Sequence, residues 1–130
     1  MNSEAGALRW LPLWLATGWL LVAAVVYLSL TPAPPKLEVP ASDKVGHVVA
    51  YTVLMFWFIQ IYYGARSRIL IALGFVLLGV SLEFLQGLGG AREYDLGDMI
   101  ANAAGVALGW ASGPPRTGNL LSRVERLMLG

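Results

Sequence analysis

Four apolar stretches, separated by short polar, proline-rich or glycine-rich segments, organise this chain. Residues 10–30, WLPLWLATGWLLVAAVVYLSL, contain no charged residue. Pro12 falls in the first turn of the helix they predict, where a missing N–H costs nothing. The run exceeds a signal-peptide core of about 7–15 residues and no Ala-x-Ala site follows, so an uncleaved span is expected. The second stretch covers about 45–63 and the third about 69–88. The fourth, about 98–112, is rich in Ala and Gly. At 1.5 Å per residue it barely crosses a hydrocarbon core of about 30 Å. It carries no charge after Asp98 and stops before SGPPR, so it too is read as transmembrane.

The intervening segments read as connections. TPAPPKLEVPA (31–41) is an extended, non-helical loop. GARSR (64–68) predicts a tight turn, and GLGGAREYDLG (87–97) a Gly-rich polar loop. The tail NLLSRVERLML (119–129) sets Leu120, Val124, Leu127 and Met128 on one helical face and Arg123 and Arg126 on the other. That pattern suits a short helix lying on a membrane surface. The expected fold is an all-α membrane protein: an N-terminal segment (1–9), a four-helix transmembrane domain (10–113) and a short C-terminal amphipathic tail (114–130).

Composition sharpens this picture. Of 130 residues, 57% are hydrophobic and 13% charged, against about a quarter charged in a soluble domain. Long uncharged runs are therefore expected to face lipid. A net charge of +1 leaves no basic stripe for nucleic acid. The absence of cysteine excludes disulfides, thiolate metal sites and thiol nucleophiles. Four spans put both termini on one side with the 64–68 turn. That side holds Arg9, Arg66, Arg68, Arg116, Arg123 and Arg126, against Lys36, Lys44 and Arg92 on the other. The positive-inside rule then predicts both termini in the cytoplasm.

With this topology the polar residues of the spans converge at the outer face. Asp43, Lys44, His47 and Tyr51 begin the second span, and Glu83 and Gln86 end the third. Arg92 and Asp95 lie in the loop, and Asp98 and Asn102 begin the fourth span. Asp43, His47 and Tyr51 share a stripe at i, i+4 and i+8. Asp98, Asn102, Gly105 and Gly109 share another, polar above and small below, whose Gly-x-x-x-Gly lets helix backbones approach closely. Glu83 lies roughly 7 Å below the outer boundary, a depth at which a carboxylate needs a partner; Arg92 and Lys44 are the candidates. Simple structural roles compete with chemistry. Ser42 or Asp43 can cap the second helix and Asp95 or Asp98 the fourth. Lys44 can snorkel, and a lone His is commonly structural. Capping and snorkelling do not account for Glu83.

DKVGHVVAYTVL, then EFLQ, then REYDLGDMIANAAGVALG resemble the VanZ-like family of small bacterial membrane proteins. The match runs, in order, through Asp-Lys-x-x-His-x-x-x-Tyr, Glu-x-x-Gln, Arg-x-x-Asp-x-x-Asp and Asn-x-x-Gly-x-x-x-Gly. YLSLTP before the first loop fits as well, and the resemblance covers about residues 25–112. Each piece alone is common; the ordered set is specific. The resemblance implies a multi-pass protein of the bacterial cytoplasmic membrane. The family's founding member is associated with resistance to the lipoglycopeptide teicoplanin, which acts on cell-wall precursors outside the membrane.

The leading expectation is an outward-facing polar site that binds or modifies an amphipathic, lipid-linked or cell-wall-related molecule. Asp43, His47, Glu83 and Asp98 supply acid–base groups, with Lys44 and Arg92 paired to a phosphate or carboxylate and Tyr51, Gln86, Asp95 and Asn102 lining the site. Membrane lipids, a lipid-linked precursor or a lipoglycopeptide are the expected partners. No cofactor is called for, and the spacing singles out no metal-ligand set. Ser42 near His47 lacks any sign of an oxyanion hole, which argues against nucleophilic catalysis. A second reading makes the cluster a non-enzymatic ion-pair lock in a binding or assembly protein. A third is a small transporter with Glu83 as its proton-coupled group, although transporter sites tend to lie near the midplane.

Overall fold

The computed structural model describes residues 8–31, 42–88 and 96–129, and these are all-helical. Five helices follow in order: α1 (Leu11–Leu30), α2 (Ser42–Ile61), α3 (Ala65–Leu88), α4 (Leu96–Ser112) and α5 (Leu120–Leu129). Three of them, α1, α2 from Lys44 onward and α3, are long and apolar enough to cross a membrane. At 17 residues, α4 is shorter. Pro12 does fall in the first turn of α1. The turn between α2 and α3 is tighter than GARSR suggested. Helix α2 stops at Ile61 and α3 already begins at Ala65, so Arg66 and Arg68 are helical. The Arg68 N–H donates to the Gly64 carbonyl within that first turn.

Helix α2 is the hub and packs against each of the other four. Tyr51, Leu54, Met55, Phe58 and Ile59 are buried on it, with Phe75 of α3 and Val106 of α4 closing the same cluster. Its tightest partner is α4, which runs parallel to it along nearly its full length. A Cβ added at Gly105 would sit 2.5 Å from the Val48 carbonyl oxygen, and one at Gly109 2.5 Å from that of Thr52. Backbone therefore rests on backbone at these two positions, the approach that only glycine permits. Gly113, just past the end of α4, instead lies against the Ile59 side chain. The Thr52 hydroxyl donates to the Gly105 carbonyl across this seam (3.1 Å). Because α4 cannot slide or rotate on α2, the residues at its first turns are held in register with Lys44 and His47.

The opposite end of the bundle is tied by a network of neutral and charge-assisted hydrogen bonds. Arg68 is turned inward and donates to the carbonyls of Ile59, Tyr62 and Pro114. Asn119 caps α5 by accepting from the Ser122 N–H and donates to the Gln60 carbonyl, while the Gln60 side chain accepts from the Leu120 N–H. The expectation that the 119–129 tail simply rests on a membrane is only half of the picture. Leu121 and Glu125 are buried against the bundle, and Leu120, Leu127, Met128 and Leu129 are exposed with Arg123 and Arg126. The N–H groups of Arg9 (2.9 Å) and Trp10 (2.7 Å) and the Trp14 indole N–H (2.7 Å) all donate to the Glu125 carboxylate. Helix α1 has no side-chain cap of its own; Glu125 supplies one from α5, with the sign that a helix N-terminus favours. Burial pushes the Glu125 pKa up, but the N–H donations from Trp10, Trp14 and Arg9 and the nearby Arg9 charge outweigh it. The carboxyl is held below its ordinary range.

Two outcomes follow from this packing. Gly105→Ala in detergent micelles should cost about 1–3 kcal/mol of stability, whereas Gly74→Ala, whose Cβ would meet open space, should leave the melting temperature unchanged or raised. Glu125 ionises more readily folded than unfolded. Its contribution is thus complete above the ordinary Glu range of about 4.3 and is lost as pH falls below it. Tryptophan fluorescence melts between pH 7 and 3 should show that loss. In Glu125→Gln the acid-dependent part should vanish, along with part of the stability at neutral pH.

Candidate functional site

The α2–α4 seam brings four polar side chains together at the end of the bundle away from α5. Asp98 lies in the first turn of α4. Its Oδ1 lies 3.4 Å from the Lys44 ammonium and its Oδ2 lies 3.4 Å from the His47 Nε2. One turn further along α4, the Asn102 Oδ1 is 2.8 Å from the His47 Nδ1. The imidazole is thus gripped at Nδ1 and faces a carboxylate at Nε2. Such an arrangement fixes the orientation of the ring. The contact on the Asp98 side is long enough to admit competition from an incoming donor or acceptor.

Depth divides the cluster into layers. Lys44 is about half exposed (48%), whereas Asp98 and His47 are mostly covered (14% and 18%). Behind them, Asn102 is buried and rests on Gly79 of α3, where an added Cβ would come within 2.8 Å of its amide nitrogen. Tyr51 and Glu83 are deeper still, each 1% exposed. Glu83 is close enough to Tyr51 for its charge to act on the phenol, and it makes an interaction of its own. The array therefore grades from an accessible cation, through a carboxylate–imidazole pair, to an interior carboxylate and phenol. A ligand arriving from that end meets Lys44 first.

Not every predicted residue joins this array. Gln86 is buried and donates to the Ser29 carbonyl at 2.6 Å, which ties α3 to the end of α1. Arg92 and Asp95 lie outside the described residues, as does the side chain of Asp43. Among the described residues, no group of three or more His, Asp or Glu side chains is placed to hold a metal ion. What sequence spacing did not single out is Gly79. It reads as an ordinary small residue in an apolar helix, and its importance emerges only from the Asn102 side chain laid across it.

No family model matches the chain, and no solved structure matches it. A relative is found in fission yeast, Schizosaccharomyces pombe: an uncharacterized protein 32% identical over 85 residues, 63% of this chain. The chain spans about half (51%) of that relative's length.

The contact between Gly79 and Asn102 can be tested through the chain's single histidine, which gives one imidazole signal in an NMR spectrum. Gly79→Ala should push Asn102 aside and shift the His47 ring resonances, at a cost in stability of about 1 kcal/mol. Gly74→Ala, on the same helix, should leave those resonances where they are.

Proposed function

We propose that this chain is a VanZ-like integral membrane protein whose Lys44–Asp98–His47–Asn102 cluster forms an outward-facing site for the anionic headgroup of an amphipathic, lipid-linked molecule. The class of ligand is a lipid-linked or other cell-wall-related amphiphile, with a link to lipoglycopeptide (teicoplanin) resistance. Lys44 supplies the accessible charge for a phosphate or carboxylate. His47 and Asp98 are the groups able to move a proton, and Glu83 and Tyr51 set the field beneath them. The observation that carries this reading is the Asp98 carboxylate shared between a half-exposed lysine and an imidazole that Asn102 orients. An anionic group that displaces Asp98 from Lys44 gains the ammonium and leaves the carboxylate to His47.

Four spans with both termini in the cytoplasm belong to the same proposal. Its support is the register of α4 and the residue after it, which run from Asp98 beside Lys44 to Gly113 beside Ile59 and so accompany α2 along most of its candidate span. The arginine-rich end would then face the cytoplasm. The bacterial cytoplasmic membrane as the compartment rests on the ordered motifs; the relative that was found is a yeast protein.

A second reading, an ion-pair lock without ligand, draws on the fact that the same contacts join α2 to α4. The two readings part under substitution. His47→Ala, Glu83→Gln and Asp98→Asn would be reconstituted in nanodiscs and assayed for binding of undecaprenyl phosphate and of teicoplanin, and for melting temperature. On the ligand-site reading each variant loses at least about tenfold in affinity, about 1.4 kcal/mol, while keeping a near-native melting temperature. Parallel loss of stability and binding, or tight binding that survives all three substitutions, would defeat it.

A further inference from the structure

The end of the bundle that carries α5 has a chemistry of its own. Arg9, Arg66, Arg116, Arg123 and Arg126 are all exposed there, while Arg68 is buried and committed to three backbone carbonyls. Among the described residues Glu125 is the carboxylate at this end, and it is itself buried and engaged by three N–H groups. Five guanidinium groups thus face outward without an exposed acidic side chain beside them among the described residues. Leu127 and Met128, 78% and 67% exposed, continue the surface directly from Arg126.

We propose that this end is a binding surface for anionic phospholipid headgroups, with α5 as a platform pinned to the bundle. Charge complementarity supports the occupant. A guanidinium offers a planar fork of donors that matches a phosphate diester. Leu120, Leu127, Met128 and Leu129 supply the apolar side chains that such a helix buries at the boundary with the acyl chains. The platform is held by Leu121 and Glu125 from below and by the Asn119 cap at its start. Arg123 and Arg126 are therefore carried at a set position relative to the spans, and the headgroup layer is met by a shaped surface. This inference stands apart from the Lys44–Asp98 site, because it uses other residues at the other end of the molecule.

The test is lipid selectivity in bilayers of phosphatidylcholine holding trace spin-labelled phosphatidylglycerol or spin-labelled phosphatidylcholine, read by electron spin resonance as the motionally restricted fraction. Wild-type protein should prefer phosphatidylglycerol by roughly fivefold or more, in line with the attraction of basic residues to anionic surfaces. The preference should fall toward unity in Arg116→Gln/Arg123→Gln/Arg126→Gln. It should also fall in wild-type protein at about 1 M salt, where the screening length is about 3 Å. Equal association of the two lipids with wild-type protein would overturn the proposal. So would a preference that persists in the triple variant or at high salt, and so would a wild-type protein whose α5 face is instead covered by a second copy in cross-linking experiments.

Discussion

The close contact between the α2 and α4 backbones at Gly105 and Gly109 is the constraint on which the candidate site rests. In a lipid environment apolar surface gives little net drive for one helix to seek another, so van der Waals fit and small residues decide which pairs form. Here the fit is close: a Cβ added to Gly105 or Gly109 would come within 2.5 Å of the carbonyl oxygen of Val48 or Thr52, nearer than any side chain tolerates. That contact fixes both rotation and register. It is why Asp98 meets Lys44 and His47 together, and why Asn102 is left between the imidazole and Gly79.

The two ends of the bundle are polar in different ways. Around Arg68, Gln60, Asn119 and Glu125, donors are matched to carbonyl or carboxylate acceptors at 2.6–2.9 Å in most contacts. Groups so completely satisfied add rigidity and have little capacity left for an incoming molecule. At the far end the charged contacts are longer, at 3.4 Å, and one partner is half in solvent. An arrangement of that kind contributes modestly to stability, and its charges remain available for exchange. The contrast separates the part of the molecule that holds it together from the part suited to recognition.

Much of this was legible from the residues. The apolar stretches at 10–30, 45–63 and 69–88 reappear as three helices capable of crossing a membrane. The polar stripes of α2 and α4 do meet at one end, because helical periodicity states which side chains share a face. Periodicity does not state what a face touches. Glu125 read as one more residue of a surface helix, yet it caps α1 across a separation of more than a hundred positions. Arg68 read as a topological charge, yet it is an interior brace, and Gln86, placed with the ligand-facing residues, is fastened to the Ser29 carbonyl. Each of these depends on where a distant backbone carbonyl or N–H comes to lie, which local pattern does not encode.

The bonds between Glu125 and the residues that lead into α1 also have a consequence for the order in which the molecule is made. Ribosomes deliver Arg9 and Trp10 more than a hundred residues before the carboxylate that receives their N–H groups. Throughout that interval the beginning of α1 must rely on water or lipid headgroups as surrogate acceptors. Closure of the bundle at this end is therefore a late event of biosynthesis, and inserted helices wait in the bilayer for a clasp that translation has not yet produced.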